Sequence, residues 1–453
     1  MITGSPWMIV ACVLLVLWPF HNVVLATFAW WRPRPKHVAP EPRSILHFWI
    51  VVPALNEERV VAATVDSALA LHSRTTPVRV LVVDDGSTDL TPQILAGIDD
   101  PRLHVLRRDL PDARRGKGEA LNAAYRLIRD IAVAEGTERE TIVGVIDGDG
   151  RGSPTMLKVV ASFFAGRGVG AVQCRVRIHN RGALLGFIQD LEFSCIADAS
   201  QSMRDVLGSV DLGGNGQFVR LSDLGRFGDS PWSACLVEDL ELGLRLHLAG
   251  VGIRYATDAV VTQQAVVDPR SLVRQRTRWG QGNLQCLRYL PRLIRSPQVR
   301  TLALLDFAYY LVAPWLMVPM SLAVIGLLAV AAFGWSTGST MGGLVATGPD
   351  APQVIGIWIA ALLSPGLLWG MVHRLRLGDE PWHRVLLIGL VYPAFLVLGA
   401  VASWRALGRH FGRRKAWSKT QRLVEQPTAA RQLRPSTPSQ GRSPLLAANQ
   451  TRS

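Results

Sequence analysis

Long apolar stretches decide what this chain can fold into, because a run of that length needs either a bilayer or a buried seam to cover it. Trp7 to Trp31 contains no Asp, Glu, Lys or Arg and has tryptophan at both ends. At about 1.5 Å per helical residue it is long enough to cross a hydrocarbon core of ~30 Å. No basic segment precedes it and no small-residue cleavage site ends it, so an anchor is expected rather than a removable leader. Pro19, His21 and Asn22 lie within it and are expected to face other helices. Three more apolar stretches follow late, at about 301–333, 354–372 and 385–404. The first holds Asp306, Pro314 and Pro319, so its start is expected at the interface, with the span beginning near Tyr309.

The charge distribution orients these segments. The net charge is +14, which at first sight suggests a nucleic-acid partner. Residues 405–453, however, carry +10 of it and residues 32–43 carry +3, so the rest of the chain is close to neutral. Basic clusters beside apolar segments mark the cytoplasmic flanks of a membrane protein, and no nucleic-acid partner is expected. The N-terminus is then outside and residue 32 onward inside. The connector 334–353 has no Lys or Arg and reads as external, whereas 373–384 carries Arg374, Arg376 and Arg384 and reads as internal. Three full crossings after an internal domain would place the basic tail outside. One stretch is therefore expected to be interfacial or re-entrant. The choice falls on 385–404, which contains Gly389, Pro393 and Gly399. From about Gln426 the tail is rich in Pro, Ser, Gln and Arg and is expected to be disordered. The five cysteines form no C-x-x-C pair, so neither a zinc site nor a disulfide framework is indicated.

Between the apolar segments, residues 44–300 alternate strand and helix signals. Apolar runs at Ile45–Ala54, Val78–Asp85, Leu103–Arg108 and Thr141–Asp147 read as buried strands, with helices at about 57–71, 88–97, 116–134 and 153–165. This β-α series predicts a mostly parallel sheet covered by helices, with ligands outside the carboxyl ends of its strands. Polar residues gather at those ends: Pro53-Ala54-Leu55-Asn56-Glu57, Asp84-Asp85-Gly86-Ser87-Thr88-Asp89 and Asp147-Gly148-Asp149. Asp and Ser also cap helices and turns, so each segment alone has a plain structural explanation. Two carboxylates around a glycine at the end of a buried strand nevertheless suit a hard cation such as Mg²⁺ or Mn²⁺, shared with a diphosphate. Neither G-x-x-x-x-G-K-S/T nor a G-x-G-x-x-G after the first strand is present, which disfavours a P-loop and a dinucleotide fold. Downstream, Glu238 and Asp239 open a helix ending near Gly250 that has Leu240, Leu244 and Leu248 on one face. The stretch Gln275 to Asn283 combines cations, amides and an indole just before a membrane segment.

Taken in order, P-A-L-N-E, D-D-G-S-T-D, G-K-G-E-A-L-N, D-G-D, E-D and Q-R-T-R-W resemble the membrane-embedded branch of glycosyltransferase family 2, which includes cellulose, hyaluronan and poly-N-acetylglucosamine synthases. The resemblance covers about residues 48–300. It implies an α/β GT-A fold, Rossmann-like with a mostly parallel sheet, joined to α-helical transmembrane segments. The implied units are an N-terminal helix with its basic flank (1–43), a cytoplasmic GT-A domain (44–300), membrane or interfacial helices (301–404) and a basic tail (405–453). The implied reaction is inverting transfer of a sugar from a nucleotide diphosphate, usually UDP, to a growing polysaccharide, with export through an accessory subunit as an option. The alternative is a single addition to a membrane lipid. Pro53, Ala54, Glu57, Asp84 and Asp85 would form the nucleotide pocket, and Lys117 would approach the diphosphate. Asp147 and Asp149 would bind diphosphate and metal, Mg²⁺ or Mn²⁺, and Asp239 would be the general base. Gln275, Arg278 and Trp279 would hold the diphosphate and the acceptor end, with Glu238, Gly214 and Asn215 on the acceptor side. Arg413 to Arg422 is similar to the family's gating loop, matching at Trp417, Lys419 and Thr420. The base segment reads V-E-D, not the T-E-D of cellulose synthases, so the resemblance does not assign glucose.

Overall fold

The computed structural model describes residues 6–31, 45–72, 77–166, 168–337, 351–412 and 422–424. The basic cluster at 32–43, most of the 334–353 connector, the gating-loop match at Trp417, Lys419 and Thr420, and the tail beyond 424 lie outside the described residues. Eight strands form one sheet: β1 His47–Ala54, β2 Arg79–Asp84, β3 Leu103–Arg107, β4 Thr141–Val145, β5 Arg151–Gly152, β6 Val169–Ile178, β7 Gln217–Arg220 and β8 Gly252–Gln263. Their order is β3-β2-β1-β4-β7-β6-β8-β5. The first four run parallel, as their continuous apolar sequences require of strands covered on both faces. Along β1 and β2, Phe48, Ile50, Val52, Val80 and Val82 enter one core, while Trp49, Val51, Leu81 and Val83 enter the core on the other face. β7 reverses direction between β4 and β6, so the sheet is mixed but mostly parallel, as the sequence predicts.

Helices place the site. Lys117–Glu135 packs Leu121, Tyr125 and Ile128 into the second core and puts Lys117 at its first turn, above the strand ends. Glu238–Leu248 buries Leu242 and Leu246 in that core and Leu240 and Leu244 in a separate cluster with Phe307 and Leu311. Pro269–Cys286 starts at Asp268, whose side chain caps it by accepting the Ser271 N–H at 2.7 Å.

The apolar segments form helices Pro6–Trp31, Thr301–Thr337, Ala351–Leu377 and Trp382–Phe411. Asn22 does face another helix: it accepts the Trp369 indole N–H at 2.6 Å. The start of Thr301–Thr337 is docked on the α/β unit, where buried Asp306 receives Arg204 at 3.2 Å and Ser209 at 2.8 Å. Among the described residues, Thr301–Leu322 and Trp382–Phe411 are long and apolar enough to cross a membrane by length and composition. The second is one unbroken helix, and Pro393 is accommodated inside it. Both of its ends are nonetheless held by the α/β unit. Arg384 donates to the Arg181 carbonyl at 3.0 Å, and Arg409 donates to Gln281 at 3.1 Å. Leu386, Leu390, Val397, Val401 and Trp404 are exposed at helical spacing along its outer side.

Candidate active site

Two cavities meet at the carboxyl ends of β1 and β4. One, of about 440 Å³, is lined by Pro53, Ala54, Glu57, Asp85, Lys117, Asp147, Glu238, Asp239, Gln275, Arg278 and Trp279. Sequence reading named all of these, and the fold brings them together from strand ends, from the first turns of the Lys117 and Glu238 helices and from the middle of the Pro269 helix. The second cavity, of about 650 Å³, extends from Asp239 and Trp279 to Tyr309 and Pro314 of the Thr301 helix and Phe395 and Ala402 of the Trp382 helix. Phe193, Gly213, Asp239 and Trp279 line both.

Charge is concentrated at the junction. Lys117 Nζ lies 2.7 Å from Asp147 Oδ1 and 3.6 Å from Glu238 Oε1. Burial alone would lower the Lys117 pKa, but Asp147, Glu238 and Asp239 outweigh it and hold the ammonium well above its ordinary value. Burial alone would raise Asp147, yet Lys117 brings it below the usual range. Burial and the neighbouring Glu238 push Asp239 up to about 7, against the opposing pull of Lys117. That value suits a group which must take a proton near neutral pH. A general base at Asp239 would have to be ionised, so in that role kcat/KM is expected to rise with pH through about 7 and level off above it. A pH profile whose acid limb lay in the ordinary carboxylate range would assign the base elsewhere.

Two glycines set this geometry. Gly214 has φ of +77°, and a Cβ there would stand 2.6 Å from Asp239 Oδ2 and 3.2 Å from Lys117 Nζ. Gly214 is thus the backbone wall against which the carboxylate rests. Gly282 lets the Pro269 helix approach Val237, where a Cβ would come within 2.7 Å of the valine side chain. The segment carrying Gln275, Arg278 and Trp279 is thereby locked to the one carrying Glu238 and Asp239. Trp279 stands edge-on to Phe193, with ring centroids 6.5 Å apart, and Arg276 lies 4.5 Å over its ring. Arg276 is itself clamped by Glu192 through two bonds.

Three expected site residues, Asp84, Asn215 and Asp149, do not line the cavity. Asp84 does not line the cavity; it is 1% exposed, accepts the Ser87 N–H at 2.9 Å and pairs with Arg107 at 2.6 Å. Adjacent strand residues face opposite ways, so Asp85 takes the cavity side and Asp84 the fold. Asn215 is equally buried and does not reach an acceptor. Its Oδ1 accepts the Asp147 N–H at 3.2 Å and its amide donates to Gln263 at 2.9 Å, so it braces the D-x-D turn. Asp149 lies behind the cavity wall, with Oδ2 accepting the Gln264 N–H at 2.9 Å and Oδ1 paired with Arg422 at 2.9 Å. Sequence reading missed Phe193 as a cavity wall and left Arg422 inside a loose basic match.

Among the described residues no cluster of three His, Cys, Asp or Glu side chains forms a closed metal cage. Asp147 and Asp149 do fit part of a hard cation's ligand set. Both offer carboxylate oxygens from one turn, and Asp149 Oδ1 is buried without a hydrogen bond.

Residues 42–282 match the family described as glycosyltransferase-like family 2, and the chain belongs to it. It is 35% identical over 269 residues to a beta-monoglucosyldiacylglycerol synthase of Nostoc sp., covering 57% of this chain and 53% of that protein. It is 26% identical over 239 residues to a poly-beta-1,6-N-acetyl-D-glucosamine synthase of Staphylococcus epidermidis, covering 51% and 53%. The chain thus spans about half the length of these curated relatives. A mannosyltransferase from Pyrobaculum calidifontis, solved with GDP-mannose and Mn²⁺, superposes with a TM-score of 0.59 at 20% identity, covering 90% of this chain and 99% of that one. That likeness confirms the GT-A-like fold.

Proposed function

We propose that this chain transfers a sugar from a nucleotide-diphospho-sugar, of the UDP type that the motifs imply, to the hydroxyl of a membrane lipid, with inversion at the anomeric carbon. The observation that carries the reading is the second cavity. It leaves Asp239 between Trp279 and Phe193 and ends among Tyr309, Pro314, Phe395 and Ala402 of the apolar helices. A lipid head group reaching Asp239 would keep its tails on the apolar side. The 35% identity to a synthase named for a diacylglycerol product supports this acceptor over a growing polysaccharide.

The chemistry follows from the placement. Asp239 takes the proton of the acceptor hydroxyl as its oxygen attacks the anomeric carbon. The new C–O bond forms on the face opposite the leaving diphosphate, which departs with the electron pair of the broken bond. Lys117 and Arg278 face the donor cavity and would meet the charge that develops there. Trp279 offers a flat apolar face to the sugar. Asp147 and Asp149 would hold Mg²⁺ or Mn²⁺, which when bound supplies further positive charge to the diphosphate. The anchor, the two long apolar helices and the basic flanks support an integral location in the cytoplasmic membrane with the catalytic unit on the cytoplasmic face, and the exposed side of the Trp382 helix would lie against lipid. Membranes containing the protein, given radiolabelled UDP-sugars and diacylglycerol, are expected to yield a chloroform-soluble product carrying one sugar. A ladder of water-soluble oligomers would overturn the lipid reading in favour of polymer synthesis.

A further inference from the structure

Arg422 is the one described tail residue that reaches the donor cavity, and it is held there by several bonds. Its guanidinium pairs with Asp149 Oδ1 at 2.9 Å. Its carbonyl accepts from Arg59 at 3.2 Å. The next residue, Leu423, exchanges two bonds with the Gln264 side chain, N–H to Oε1 at 2.8 Å and Nε2 to carbonyl at 3.0 Å. The same Gln264 gives its backbone N–H to Asp149 Oδ2. One glutamine therefore registers both the D-x-D turn and the tail.

The two carboxylates of the D-x-D turn are each neutralised by a protein cation, Asp147 by Lys117 and Asp149 by Arg422. Asp149 is 1% exposed, and a buried carboxylate left without a partner is costly. Yet the Arg422 pair lacks hydrogen-bond geometry at Oδ1, so the guanidinium balances charge without saturating the oxygen.

Resting on the reading of Asp147 and Asp149 as metal ligands, we propose that Arg422 is a tethered stand-in for the divalent cation: it occupies Asp149 while the site is unloaded and must leave before metal binds. Docking of the tail and metal loading are then mutually exclusive at one carboxylate oxygen. Arg422 and Leu423 act as a strap whose release reports that the metal is in place. Once free of Asp149, the planar guanidinium is suited to the donor's phosphate oxygens, which it can grip in pairs.

The test is Mn²⁺ binding to the full-length protein in detergent without donor, followed by electron paramagnetic resonance of the free ion. Arg422→Ala and Arg422→Gln are expected to bind Mn²⁺ roughly 10- to 100-fold more tightly than wild type, the scale on which groups touching metal ligands move affinity. Arg422→Lys is expected to fall between. In the wild type, added Mn²⁺ is expected to speed hydrogen exchange at the Leu423 amide. Equal Mn²⁺ affinity in wild type and Arg422→Ala would overturn the stand-in while leaving the metal site standing. Absence of Mn²⁺ binding in all of them, with Asp149→Asn indistinguishable from wild type, would sink the metal reading and the proposal together.

Discussion

Replacing Asp239 with asparagine is expected to lower kcat by roughly a hundred- to ten-thousand-fold, the range a positioned general base contributes. The amide keeps the shape of the carboxylate beside Gly214 and can still be approached by Lys117, so the fold and the donor cavity should persist. Nucleotide binding measured by calorimetry should change little, and the acid limb near pH 7 should vanish from what activity remains. A variant that lost nucleotide binding in proportion to turnover would show Asp239 holding the donor and not the acceptor proton.

Lys117→Gln is expected to produce the second large effect, on rate and stability together. The ammonium faces three carboxylates, Asp147, Glu238 and Asp239. Without it they repel one another at the end of a partly closed cavity. Breaking a buried pair costs about 3–5 kcal/mol, and the lower end applies because Lys117 and Asp147 keep some exposure. Loss of one preorganised charge at the leaving group lowers turnover by roughly a hundred- to a thousandfold. The sign of the pH effect is fixed: Lys117 pulls the Asp239 pKa down, so its removal moves the acid limb of kcat/KM to higher pH. Asp239, whose pKa is already raised in the folded state, is least costly when protonated. The variant's stability deficit should therefore be smallest at low pH and grow as pH rises through the Asp239 value. An unmoved limb would mean that Lys117 does not sense the base.

The first half of the domain was legible because its strands are buried on both faces and write themselves as unbroken apolar runs. β1 to β4 were found within a few residues of their bounds. β6 was not, since Gln173, Arg175 and Arg177 interrupt its pattern, and its pairing with β8 shifts register between Cys174 and Arg175. β7 has only four residues, too few for a period to show. The cavity residues were legible as motifs at strand ends. Their facing was not, because one step past the end of β2 decides whether Asp84 or Asp85 faces the cavity. Asn215 sits beside the site in sequence but spends both ends of its amide on Asp147 and Gln263. Arg422 could be read only as one basic residue among many, because its partner Asp149 is brought to it by tertiary structure alone.

The Trp382–Phe411 helix, pinned at both ends to the catalytic unit, has a mechanical consequence. In the proposed membrane setting, a rod of about 45 Å, at 1.5 Å per residue, with both tips fastened to one catalytic unit would lie along the leaflet like a keel. The chamber behind it would then open sideways into that leaflet, not forward through a bore. A product finished at Asp239 in the proposed reaction would slip out in the plane of the membrane by lateral diffusion. Its new sugar would never leave water, and no gradient or motor would be needed to clear the site.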